Sequence, residues 1–180
     1  MKISAMLMWA LLTGMLATAG CQSRPQMTAD EFLRQASDSA FGCADYRCRD
    51  TLDAAKAKSV DYKAQLALAI GGNREAVVCL LNLCGQLQGP AAEGHTAVVG
   101  DLLHWHGDAF FAACVSALPT VSQRLAVGND LSYDLGSENP PAGDVEFARW
   151  FPRTYAICFG ERAYQALFDK LWDDVWDSDD

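Results

Sequence analysis

The chain predicts an all-α domain, either a compact bundle or a set of stacked helical hairpins. Three observations carry that prediction. Apolar residues recur three and four apart through nearly every segment after residue 28, and no run sustains the alternation of a half-buried strand. Each periodic segment is also bounded by Gly, Pro, Asn or Asp where a helix would start or stop.

Thr28 and Glu31 have the spacing of a capping box, and Phe32, Leu33, Ala36 and Ala40 follow on one face, which predicts a first helix over about 29–40. After Gly42, DYRCRDTLDAAKAK predicts a second helix to about Ser59, and Asp61 to Ile70 predicts a third through Leu66, Ala69 and Ile70. Gly71-Gly72 can stop that helix and Asn73 can cap the next, whose buried stripe is Val77, Leu80, Leu81 and Cys84. GQLQGPAAEG, from Gly85 to Gly94, reads as a loop. Thr96 opens a pattern with Val98, Val99, Leu102 and Leu103 on one face, in which Gly100 is out of place. Asp108 to Leu118 follows with Phe110, Phe111, Cys114, Val115 and Leu118, closed by Pro119. A shorter segment through Val121, Leu125 and Val127 leads to an irregular stretch, Gly128 to Asp144, of a length that is either disordered or functional. A short turn at Val145 to Trp150 precedes Pro152, which suits the first position of a last helix, striped by Tyr155, Phe159, Ala163, Leu167, Leu171 and Val175.

Two of these segments match at an offset of 35 residues: GNREAVVCLLNL from Gly72 and GDAFFAACVSAL from Gly107 share Gly, an Asx, a Cys and a Leu in register. Upstream, Leu68 and Ile70 fall opposite Leu103 and Trp105. A period near 35 suits paired helices, and GGNREAVVCLL faintly resembles the second-helix entry of an ankyrin repeat, without its Thr-Pro opening.

The first 21 residues, MKISAMLMWALLTGMLATAGC, have the form of a secretory signal: Lys2, an apolar stretch to Leu16, then small residues before Cys21. The Ala-Gly-Cys ending resembles the lipobox of bacterial lipoproteins, with Thr18 where Leu is usual. That resemblance implies cleavage before Cys21, lipidation of Cys21, and, with Gln22 following, residence at the outer membrane on its periplasmic side. Residues 1–20 are then the signal peptide, 21–27 a tether broken by Pro25, and 28–180 one helical domain. Acyl chains contribute about 0.8 kcal/mol per buried CH₂, so two or three anchor a protein without any spanning segment.

Of the 14 basic residues Lys2 lies in the leader, so the mature chain sets 13 against 23 acidic ones, a net charge of −10. Such a balance disfavours nucleic acid and suits a basic protein partner. Six cysteines remain beside Cys21: Cys43, Cys48, Cys79, Cys84, Cys114 and Cys158. An even number in an exported chain predicts three disulfides. Cys43 to Cys84, Cys48 to Cys79 and Cys114 to Cys158 is one pairing, and local closure of Cys43 with Cys48 is its rival.

LLHWHGD, residues 102–108, resembles the zinc-binding loop of metallo-β-lactamase-fold hydrolases, which would make His104, His106 and Asp108 metal ligands. On a helix, however, residues two apart point about 200° apart, and no histidine follows His106. The stretch also has the grammar of a helix end: imidazoles in the last turn, a Gly stop, and Asp108 to cap the next helix. A residual site with His95, Glu93 or Asp101 is the metal alternative. There is no G-x-S-x-G, Walker loop or G-x-G-x-x-G, and acids such as Glu75, Asp130, Asp134 and Glu161 are too scattered to name a general acid and base. The residues that suit recognition are Trp105, Asp130, Tyr133, Asp134, and, on an acidic C-terminal edge, Trp172 and Trp176. The functional expectation is a non-enzymatic, lipid-anchored binding protein of immunity or inhibitor type, needing no cofactor. A structural or envelope-assembly lipoprotein is second, and a metal-dependent enzyme third.

Overall fold

The computed structural model describes residues 27–38, 45–136, 142–163 and 165. Among them the regular structure is entirely helical: α1 (Ala29–Asp38), α2 (Asp45–Ala57), α3 (Tyr62–Ile70), α4 (Arg74–Leu81), α5 (Pro90–His106), α6 (Asp108–Ser116), α7 (Val121–Gly136), α8 (Ala142–Trp150) and α9 (Pro152–Phe159). The leader with Cys21, together with Cys43, Trp172 and Trp176, lies outside the described residues.

The Thr28/Glu31 box and the Asn73 cap form as expected, and Asp61 adds a cap that the spacing did not announce. The Glu31 carboxylate accepts from Thr28 N–H at 2.8 Å while Glu31 N–H donates to Thr28 Oγ1 at 3.2 Å, completing the box at the start of α1. Asp61 and Asn73 accept from Ala64 and Ala76 N–H, and Gly72 takes φ +87° between α3 and α4. The end of α2 carries Ser59 at φ +62°, with Val60 N–H bonded back to Ala55 O at 3.0 Å. That six-to-one bond marks a Schellman end whose left-handed residue is ordinarily Gly. Ser59→Gly is therefore expected to raise stability by roughly 1 kcal/mol, seen as a higher urea midpoint at unchanged slope.

Three helical hairpins, α3–α4, α5–α6 and α8–α9, stack so that α4 packs on α6 and α6 on α9. The helix α5 is the hub, touching α1, α2, α3, α6 and α7. It is buried along most of its length, with Val98, Val99, Leu102 and Leu103 all at 1% exposure or less, as a helix touched from several sides must be. The 35-residue period has a direct physical counterpart. Trp105 Nε1–H donates to Ile70 O at 3.1 Å and His106 Nε2 to Ala69 O at 2.8 Å, so the last turn of α5 satisfies carbonyls at the end of α3.

Several expectations are corrected. The stretch Gly85 to Gly94 is not a loop throughout, because α5 starts at Pro90, whose fixed φ suits the first helical position, behind Gly89 at φ +56°. The stretch from Gly128 is not irregular: α7 continues to Gly136, and Ala142 to Trp150 is a helix rather than a short turn. Tertiary packing overrides the weak helix propensity here, since Gly128 lies under Cys158 and Phe159 of α9. The last helix is interrupted, α9 ending at Gly160 with φ +92°; Leu167, Leu171 and Val175 lie outside the described residues.

Asp108 does not cap its own helix, whose cap position is Gly107. Its carboxylate reaches across to α9, accepting from Arg153 N–H at 3.0 Å, Thr154 N–H at 2.8 Å and Thr154 Oγ1 at 2.8 Å. Asp108 thus fills the orphan donors that Phe151, at the cap position of α9, has no side chain to satisfy. Asp108→Ala should cost about 1–2 kcal/mol in a denaturant titration, a loss that Asp108→Asn restores only partly.

The disulfide staple is also corrected. Cys79, Cys84, Cys114 and Cys158 are all free thiols, so neither Cys114 to Cys158 nor any bridge from Cys79 or Cys84 is formed. Cys84 turns inward onto His95, 3.6 Å from its Nε2, and Cys114 and Cys158 are spent as buried core residues of α6 and α9.

Candidate functional site

The last two turns of α5 carry Asp101, His104 and Trp105, which three- and four-residue spacing places on one side of the helix. Phe32 of α1 meets them, its ring edge-on to Trp105 at 6.2 Å between centroids. These four residues line a recess of about 280 Å³. Its walls are fixed: Trp105 is pinned by its bond to Ile70 O, Phe32 is 3% exposed, and His104 sits edge-on to Phe151 at 4.9 Å.

Behind the recess a second carboxylate closes in. Asp134 of α7 lies so near the α5 backbone that a Cβ at position 100 would stand 1.9 Å from its Oδ2. Gly100, out of place in a helix by propensity, is what admits that carboxylate. Burial raises Asp101 to about 6; burial, and then the charge of Asp101, raise Asp134 to about 7. Partial burial lowers His104, so its imidazole is neutral at neutral pH and does not offset them. Among the described residues neither carboxylate has a salt-bridge partner.

A carboxyl group that binds its proton more tightly when folded stabilises at low pH. That contribution fades as pH rises from the ordinary value of 3.8 through the raised one. Asp134→Asn should therefore gain stability relative to wild type between pH 4 and 7, with a slope of up to about 1.4 kcal/mol per pH unit. Urea titrations of both proteins across that range measure the difference. Taking the difference also removes the opposite trend from His95, which burial lowers to about 4.

A buried polar chain runs through the core nearer the start of α5. Tyr62 Oη and His95 Nδ1 are 2.8 Å apart, and His95 Nε2 stands 3.6 Å from Cys84 Sγ. Asp130 stands close to the Cys84 thiol and the Gly85 backbone, and burial raises its carboxyl above the ordinary value. A nucleophilic Cys–His pair needs an ionisable thiol within reach of substrate. Here burial, followed by the charge of Asp130, pushes the Cys84 thiol well up, and Cys84 and His95 are 4% and 1% exposed. The chain is a satisfied core network that ties α3, α5 and α7 together. Nothing in the spacing of Tyr62, Cys84, His95 and Asp130 announces it, because the contacts span 33, 11 and 46 residues.

The three LLHWHGD side chains go to different places. His104 lines the recess, His106 bonds Ala69 O and stacks on Phe110 at 4.5 Å, and Asp108 caps α9. Among the described residues no three metal-ligating side chains converge. Of the residues suited to recognition, Trp105 and Asp134 come together at the recess through Asp101, which the chain alone did not single out for this role. Asp130 is spent in the buried chain. Tyr133 lies outside the recess, 59% exposed on α7. A second, larger groove of about 440 Å³ at the α2–α3 corner is lined by Leu52, Asp53, Lys56, Ser59, Val60, Asp61, Tyr62 and Lys63. Its charges are of both signs, and Lys63 is paired with Asp30 at 2.7 Å.

No protein family, curated protein or solved structure matches this chain. Among the described residues, no helix is long and apolar enough to cross a membrane.

Proposed function

We propose that the chain is a lipid-anchored binding protein at the outer membrane, facing the periplasm. In this reading it acts as an immunity or inhibitor protein that covers a basic toxin or hydrolase working in the envelope. The observation that carries this reading is the recess of Phe32, Asp101, His104 and Trp105 with Asp134 behind it. Aromatic walls around a carboxylate that has no salt-bridge partner among the described residues form a surface complementary to a basic anchor residue, on a chain whose mature part carries ten excess negative charges. The lipobox-like leader supplies the place of action, and a covering function asks only for a presented surface, not for a nucleophile.

The test is recovery of the full-length protein from envelope extracts under mild detergent. A stoichiometric, salt-sensitive complex with a basic envelope hydrolase, whose activity falls on binding, supports the reading. Recovery of only outer-membrane machinery or peptidoglycan would sink it in favour of an assembly or structural lipoprotein. Cys21→Ala should abolish acyl labelling and release the protein to the soluble periplasmic fraction.

A further inference from the structure

We propose that the α5 recess takes one arginine side chain of the protein partner, with Asp101 pairing its guanidinium and Trp105 flanking its stem above the buried Phe32. This rests on the reading of the chain as a binder of a basic partner. Three features of the recess select the occupant. Its volume of about 280 Å³ has room for one long side chain and is too small for a helix.

Its chemistry is also specific. A planar guanidinium can pair with a carboxylate while lying against an aromatic face, whereas an ammonium is a strongly hydrated point charge that gains less from the same wall. A divalent cation asks for several converging oxygens, and the wall of the recess offers one carboxylate, Asp101.

The third feature is preorganisation. Trp105 is held by Ile70 O, and Phe32 is locked in the core at the first turn of a capped helix, so little side-chain entropy is lost on binding. Asp134 lies close by without entering the lining, because Gly100 lets it sit against the α5 backbone. An arriving cation would relieve the mutual repulsion of Asp101 and Asp134, an interaction available only in the complex. A buried arginine in a rigid aromatic and acidic pocket has the composition of an interface hot spot.

The probe is a blocked arginine dipeptide, compared with the same peptide carrying citrulline, which keeps the shape and loses the charge. Binding is followed by the indole N–H resonance of Trp105, assigned by its loss in Trp105→Phe. The arginine peptide should shift that resonance saturably and more weakly with added salt. Affinity should fall at least tenfold for citrulline and for Asp101→Asn. Equal response to both peptides, no response to either, or an unchanged affinity in Asp101→Asn would each overturn the assignment. Should Asp101→Asn fail to fold by circular dichroism, the peptide comparison on the wild-type protein decides alone. The two levels of the argument separate in the envelope extract. A hydrolase complex unaffected by Asp101→Asn leaves the proposed function standing and overturns the recess, whereas absence of any such complex overturns the function itself.

Discussion

Gly128→Ala is expected to destabilise the domain by about 2 kcal/mol, enough to lower the melting temperature by roughly 4–8 °C. Alanine is ordinarily the better helix former, by about 1 kcal/mol in a helix interior such as that of α7. The packing reverses that sign. A Cβ at position 128 would stand 2.8 Å from Cys158 Cβ and 2.7 and 2.9 Å from two ring atoms of Phe159. The ring can turn aside only by disturbing Phe147 and Tyr155, which it contacts at 6.4 and 4.7 Å between centroids. The Cβ of Cys158 cannot move without the α9 backbone, so α7 and α9 must separate. Ser132→Ala, one turn further along α7, should go the other way. The buried Ser132 Oγ finds no hydrogen-bond partner among the described residues, so its removal relieves a desolvation penalty. Thermal melts of the two variants beside wild type check both signs; a Gly128→Ala protein as stable as wild type would show that α9 does not pack on α7 as described.

Tyr62→Phe is the second large effect, expected to cost about 2 kcal/mol although it removes one oxygen atom. The ring stays in place in a site 2% exposed, so the loss is not one of packing. What is lost is the partner of His95 Nδ1, which then stands buried and unsatisfied beside a helix from which water is excluded. The logic is tested by a double-mutant cycle. His95→Leu alone should also destabilise, leaving the Tyr62 hydroxyl stranded, but Tyr62→Phe added to it should cost little or nothing. Full additivity in urea titrations would show that the hydroxyl and the imidazole are not coupled.

The chain's own pattern reached far into this fold. The helical periodicity, the Thr28/Glu31 box, the Asn73 cap and the Gly72 turn are local devices, decided within four or five residues, and they form as the spacing predicts. The 35-residue offset was legible too, and its pairing of Ile70 with Trp105 became a hydrogen bond. Where local signals were weak, as from Gly128 onward, the pattern stopped short of the helix. Asn129, Asp130 and Asp134 look like loop residues, and the inward placement of Asp130 and Asp134 against the turn after α4 and against α5 explains a helix there.

The recess was half legible. Trp105 and Asp134 stood out as an aromatic and an acid, but the residue that joins them, Asp101, looks like an ordinary helix surface position.

By itself, then, the sequence determined an all-α domain with its main helix starts and stops, because capping and periodicity are short-range physics. Tertiary structure alone decided which side chains meet. It sent Asp108 to cap α9 rather than α6, gave His106 and Trp105 to the end of α3, and turned Cys84 toward His95 instead of another thiol. Those choices depend on how hairpins stack. A hydrogen-bond donor or an unsatisfied carbonyl is equally available to any neighbour within reach, and reach is set by packing between residues 11 to 46 positions apart.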